Sequence, residues 1–318
     1  MMYTFRLFAD NESDLVAINA IFNAHYPAQA ETLELTRYRD DTHDTDYLLQ
    51  REFIELDGKA IAYGEVAQSP WTFHPQKYDW RVVTYPTYDC YALNALHLEH
   101  TLQRTLAQKD VLAIKTSARE DEDEQLRFLQ DKGFEEQSRY NESALHLPDF
   151  DARPFKSKMQ IVADAGIEIL DINTLKQRQP DTWQGILYEL CWDLYQDAPN
   201  PPERVSLETF VKTELDAPMF VPNGWFVAKD GDSYVGVTNF EQQTKHDDKL
   251  MTGYTGVRHE YRRQHIGTAL KVHALTHIQQ AGMTTIETYN ESDNPMYALN
   301  LQLDFKPTPA RINFEKAL

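Results

Sequence analysis

Hydrophobic positions along this chain recur in two rhythms, and the rhythms run through the same succession twice. Residues 3–8 alternate apolar and polar, the two-residue period of a half-buried strand. A cap-rich turn at 10–14 follows, and Leu15, Ile18, Ile21 and Phe22 then recur at helical spacing. Residues 32–38 read as a second helix and 40–46 as an acidic loop. Strands at 48–56 and 60–67 are joined by Asp57-Gly58, a two-residue hairpin signal. A strand at 80–85 leads to a helix with Tyr91, Ala95, Leu98, Leu102 and Leu106 on one face. A strand at 111–116, a helix through 126–132 ended by Gly133, and one or two strands between 140 and 147 complete the series.

Residues 148–154 (Pro-Asp-Phe-Asp-Ala-Arg-Pro) read as a linker, and the pattern restarts. A strand at 167–172 precedes a helix at 183–195, a proline-rich break at 197–202 and a helix at 206–215 capped by Ser206. Strands at 225–229 and 234–241 flank Asp230-Gly231, again a hairpin signal. Next come a strand at 250–257 and a helix with Ile266, Leu270, Ala274 and Ile278 as its stripe, ended by Gly282. A strand at 284–289, a helix at 294–303 and a strand at 310–318 close the chain. The spacing repeats as well: 46 residues separate Tyr88 from Phe134, and 44 separate Tyr261 from Phe305. A unit of that length is a duplicated domain rather than a solenoid repeat. The expected fold is mixed α/β in two domains, over 1–150 and 161–318, with a linker at 151–160.

Composition narrows the function. Thirty-one Lys and Arg against 50 Asp and Glu give a net charge of −19. That argues against general binding to nucleic acid or anionic membranes, which need a basic face. It mildly favours amine-bearing partners. Cys90 and Cys191 stand apart from any ligand spacing, which fits a reducing cytoplasm. No leader pattern opens the sequence, and no apolar run approaches the length of a membrane span. His273 and His277 have the spacing of a metal pair but no third ligand, so no metal is expected. Oligomeric state is not legible.

Against this acidic background the stretch 251–270 reverses sign locally. It reads as a strand, an Arg-rich loop and the first turn of an amphipathic helix. Amides at a helix start lack partners within the helix and favour an anion. Arg262 and Arg263 add forked donors suited to phosphate. The elementary reading is a phosphate or pyrophosphate site, set against a plain solvated turn.

The second half resembles the GNAT family of N-acetyltransferases, on Thr255-Gly-Val257, Glu260-Tyr-Arg262, Ile266-Gly-Thr-Ala-Leu-Lys271, Thr288-Tyr-Asn290, Asn294-Pro-Met296 and Asn300-Leu-Gln-Leu-Asp-Phe305. Arg262 and Gly267 fit that family's acyl-CoA loop, Arg/Gln-x-x-Gly-x-Gly/Ala, and His265 stands at its first glycine. The resemblance implies an acetyl-CoA donor and a small-molecule amine or an amino terminus as acceptor. It implies pyrophosphate contacts from Arg262, Arg263, Gln264, His265, Ile266, Gly267 and Thr268. It implies carbonyl polarisation by a main-chain N–H on Thr255, Gly256 or Val257, and pantetheine contacts from Asn290 and Asn294. Asn300 aligns with the family's thiol acid, and Tyr297, one turn earlier, is the substitute. No Glu lies on the strand 250–257, which leaves Glu241 as the base. The first half resembles a degenerate copy: its loop at 85–92 has neither glycine nor arginine, and Asp89 stands where Arg262 stands. That copy is expected not to bind CoA in the usual way. Two other readings stay open, a CoA-binding or regulatory protein with reduced turnover, and a structural module binding partners through its acidic surface.

Overall fold

The computed structural model describes residues 2–107, 109–197, 201, 203–292 and 294–318. Its strands and helices begin with β1 (Tyr3–Leu7), α1 (Glu12–His25), α2 (Leu33–Asp41), β2 (Leu49–Leu56), β3 (Lys59–Ala67), β4 (Lys77–Thr84), α3 (Cys90–His100), β5 (Ala113–Arg119), α4 (Asp123–Asp131) and β6 (Glu135–His146). The succession continues with α5 (Lys156–Asp164), β7 (Ile167–Asp171), α6 (Ile172–Arg178), α7 (Trp183–Tyr195), α8 (Leu207–Phe210), β8 (Phe220–Asp230), β9 (Ser233–Glu241) and β10 (Lys249–Val257). It ends with α9 (Ile266–Gln280), β11 (Thr285–Glu291), α10 (Pro295–Gln302), β12 (Lys306–Pro307) and β13 (Arg311–Ala317). Two compact units result, Met1–Asn141 with Pro309–Leu318, and Glu142–Thr308.

This division corrects the expected one. The closing strand belongs to the first unit, where β13 pairs antiparallel with β5 along its whole length and with Glu135–Tyr140 of β6. The reason is burial: Ile312 and Phe314 enter the core formed by Trp80, Phe128 and Phe134. Residues 151–160 are not a free linker either. A short turn at Arg153–Phe155 runs into α5, and Phe155 and Val162 are buried in the second unit's core. The proline-rich break at 197–202 lies largely outside the described residues.

In the first unit β1-β2-β3-β4 form an antiparallel run. The Asp57-Gly58 turn joins β2 to β3 with both residues at positive φ, as a tight hairpin requires. β4 then pairs parallel with β5, only between Lys77–Asp79 and Ala113–Lys115. Both strands run on past the last pair, to Thr84 and Arg119, and so part. One close approach organises this unit. A Cβ on Gly64 would stand 1.9 Å from His97 Nε2, so the α3 imidazole lies directly against the β3 backbone. Trp80 Nε1 donates to His97 Nδ1 at 2.8 Å, which leaves that nitrogen unprotonated. Burial pushes the imidazole down to about 3.

The second unit repeats the plan. β7-β8-β9-β10 are antiparallel, and β10 pairs parallel with β11 only between Lys249–Met251 and Thr285–Glu287. Apolar cores cover both faces of this sheet. One includes Leu270, Val272, Leu275 and Ile278 of α9, and the other Leu187, Leu190 and Leu194 of α7 with Phe210 of α8.

Candidate functional site

The site begins where β10 and β11 separate. Beyond Met251 and Glu287 they run on unpaired with each other, to Val257 and Glu291. Main-chain groups alternate sides along a strand. Arg258 N–H is bonded to Val235 O of β9, so the Val257 and Thr255 N–H groups point the other way, into the opening. Register against β9 shifts between Thr252 and Thr255, a bulge that bends β10 there. The bulged Tyr254 N–H is taken by Asn239 Oδ1 at 2.7 Å.

The loop after β10 delivers six consecutive amides to the start of α9. Among the described residues, the N–H groups of Arg263, Gln264, His265, Ile266, Gly267 and Thr268 meet no acceptor, and the first helical bond is Ala269 N–H to His265 O. The cap has no side-chain acceptor to compete for them. Arg263 and His265 both hold positive φ, +61° and +65°, so the loop makes its turn with non-glycine residues in the left-handed region. Arg262 is exposed but folds back on its own strand end. Its Nε donates to Val257 O at 3.0 Å, and its guanidinium pairs with Asp197, so it staples the loop to the strand end. Gln264 Nε2 donates to Glu260 O at 3.1 Å. Arg263 is exposed and bonds to no described residue. Gly267 leaves room, since a Cβ there would come no closer than 3.8 Å to Val257.

The opposite sheet face, under α7 and α8, carries carboxylates. Glu241 Oε1 lies 2.3 Å from where a Gly253 Cβ would stand, so that glycine lets the carboxylate lie over the β10 bulge. Gln243 Nε2 donates to its Oε2 at 2.7 Å. Glu214, in the turn after α8, had no place in the sequence reading. Burial and the charge of Glu241 push its carboxyl up to about 7. Tyr195 and Tyr254 meet edge to face beside them, ring centres 5.0 Å apart. The signal for Glu214 was its position four residues after buried Phe210, on the apolar stripe.

Other expected residues have structural duties. Asn300 is completely buried, and its Nδ2 donates to Asn290 Oδ1 at 2.8 Å, tying α10 to β11. A buried amide holds no transferable proton, which removes Asn300 from the thiol-acid role. Asn294 caps α10, accepting from Met296 N–H at 2.9 Å. Tyr297 is half-buried on α10. His273 and His277 both pack edge-on against Phe226.

In the first unit the corresponding helix start is already occupied by the chain itself. Asp89 caps α3, accepting from Ala92 N–H at 2.9 Å, and Pro86 removes one donor from the loop. A cavity of about 290 Å³ remains beside it, lined by His25, Tyr26, Tyr88 and Cys90 among others.

Residues 186–300 match the family model of the acetyltransferase (GNAT) family. Among solved structures the chain is similar to the tandem GNAT protein of the clavulanic acid biosynthesis pathway, determined without acetyl-CoA. That likeness has TM-score 0.74 at 16% identity and covers 99% of this chain and 98% of that one. It is also similar to a GCN5-related N-acetyltransferase from Sphaerobacter thermophilus, with TM-score 0.62, 17% identity and coverage of 99% and 95%. A third likeness is to a fungal multi-domain β-N-acetylglucosaminidase with a GCN5-related glucosamine N-acetyltransferase region, with TM-score 0.67, 13% identity and coverage of 98% and 38%. No curated protein sequence matches the chain. The segment 186–300 carries a GNAT acetyltransferase domain by that match, and the chain as a whole has the fold of a tandem GNAT protein.

Proposed function

We propose that the second unit transfers an acetyl group from acetyl-CoA to a primary amine, carried by a small molecule or an amino terminus. One observation supports this reading above the others: six adjacent amides without acceptors lie next to a strand opening into which Val257 and Thr255 N–H point. The residues fit the donor. Amides from Arg263 to Thr268, with the charge of Arg263, would hold a diphosphate. The Val257 or Thr255 N–H would polarise a carbonyl oxygen in the opening. Bound acetyl-CoA supplies an activated acyl thioester. The chain's own part is to fix that anion, aim an N–H at the carbonyl, and hold a proton acceptor, Glu241, on the face from which an amine arrives. The thiol's proton has Tyr297 as its remaining candidate.

Calorimetry with acetyl-CoA tests the donor site. Arg263→Asp is expected to weaken binding at least tenfold without lowering the melting temperature. Unchanged affinity overturns the assignment. Thiol release over an amine panel tests turnover. The buried Asn300 favours a second reading, a CoA-binding protein with reduced turnover in a regulatory role. Acetyl-CoA binding with no thiol release from any amine is its expected result.

A further inference from the structure

The cavity of the first unit has its own chemistry. Beyond Asp79 and Lys115 the strands β4 and β5 part, and residues from both, Thr84 and Thr116 among them, line the cavity of about 290 Å³. Tyr85 N–H bonds to Ile61 O, so the N–H and C=O of Thr84 point away from β3, toward the parting. His25, the last residue of α1, meets that carbonyl, its Nδ1 lying 2.8 Å from Thr84 O. A carbonyl oxygen only accepts, so Nδ1 carries the hydrogen and Nε2 keeps its lone pair. The Tyr26 ring packs edge-on against the imidazole, centres 4.3 Å apart. Nε2 has no partner among the described residues.

The remaining free groups are mostly acceptors too. Glu122 takes Arg119 N–H on one oxygen at 2.9 Å, and its other oxygen has no partner among the described residues. Asp123 and Glu124 line the same cavity. Among the described lining residues Arg81 is the one Lys or Arg, and Glu65 engages it at 3.1 Å. The Cys90 thiol, pushed up to about 11 by burial, and the Tyr26 hydroxyl, raised by burial and by Glu122, stay protonated. A cavity rich in acceptors calls for a ligand rich in donors, and three carboxylates repel an anion. We propose that this cavity binds a small organic ammonium ion, which donates to His25 Nε2 and to the free Glu122 oxygen with its apolar part against Tyr26 and Tyr88. Ring faces add attraction for a cation. The volume lies at the small end of ligand pockets, room for one ring or a short chain. The ligand is held and not transformed, so the site stands apart from acyl transfer in the second unit and does not rest on that reading.

The test uses the full chain. Benzylamine, benzyl alcohol and benzoate, alike in shape, are titrated by calorimetry. Benzylamine is expected to bind at least about tenfold more tightly than either of the others. His25→Leu and Glu122→Gln each weaken it about tenfold, and Glu135→Gln, at an exposed position of β6, leaves it unchanged. Nuclear magnetic resonance of the imidazole nitrogens reads His25 in the unsubstituted protein. Its Nε2 signal is that of an unprotonated nitrogen and moves when benzylamine is added, and it moves equally in Arg263→Asp, whose substitution lies in the second unit. Equal binding of all three compounds, benzylamine affinity unchanged in both variants, or a His25 signal that does not respond overturns the proposal.

Discussion

Replacing Lys271 with Met is expected to stabilise the chain, and to do so by an amount that depends on pH. Lys271 lies on the buried side of α9, the helix whose start forms the amide cradle, and only 3% of it is exposed. Its ammonium sits 5.5 Å from the Phe305 ring centre and has no carboxylate partner among the described residues. Burial lowers it from 10.5 to about 7. Between those values the unfolded chain binds the proton and the folded chain does not, so folding stability rises with pH across the window. It is fully recovered above the unfolded value and lowest below the folded one. At 1.36 kcal/mol per unit, the cost is about 4 kcal/mol at pH 7.5 and about 1.4 kcal/mol at pH 9.5. Urea unfolding followed by circular dichroism at both pH values checks this. Wild type should gain about 2.5 kcal/mol more than Lys271→Met between them. Cys90, raised to about 11, and Cys191, also raised by burial, pull the other way, but they do so in both proteins and cancel. Loss of the cation–ring contact costs the variant about 0.5 kcal/mol, too little to change the sign. An equal pH response in the two proteins, or a less stable variant at pH 7.5, refutes the reasoning.

Three further outcomes follow from close contacts and from strain. Gly64→Ala drives a methyl to 1.9 Å from His97 Nε2 and is expected to destabilise by roughly 3 kcal/mol, with partial recovery on adding His97→Ala, read by thermal melts. His97→Gln, which keeps an acceptor for Trp80, should remove a loss of about 2 kcal/mol that wild type suffers between pH 6.5 and 5, because the buried imidazole charges only on unfolding there. Gly253→Ala displaces Glu241 and Asn239, whose atoms lie 2.3 and 2.5 Å from the new methyl. A fall in thiol release with unchanged acetyl-CoA affinity by calorimetry is the expected pair of results.

Local rhythm made most of this fold legible, because a hairpin such as Asp57-Gly58 or a stripe such as Ile266, Leu270, Ala274 and Ile278 is decided by neighbours in sequence. What it left open was decided by distant partners. The alternation of Ile312 and Phe314 announces a strand at the chain's end, but only the core waiting among Trp80, Phe128 and Phe134 assigns it to the first unit. The run of unbonded amides was readable from the helix start, and so was the capped start at Asp89, where a carboxylate takes the donor it faces. The chemistry of single side chains was less so. Aligned position pointed to Asn300, yet position transmits location and not reactivity, and the residue is a buried tie between α10 and β11. Glu214 and Lys271 left the clearer mark. Each interrupts an apolar stripe with a charge, Glu214 one turn after Phe210 and Lys271 one turn before Leu275. A charge on a buried face costs free energy that the fold must recover or a function must use. Among the described residues Lys271 meets only a ring, and its cost is expected in stability. Glu214 lies in the field of a second carboxylate, Glu241, and burial with that charge raises its carboxyl to about 7.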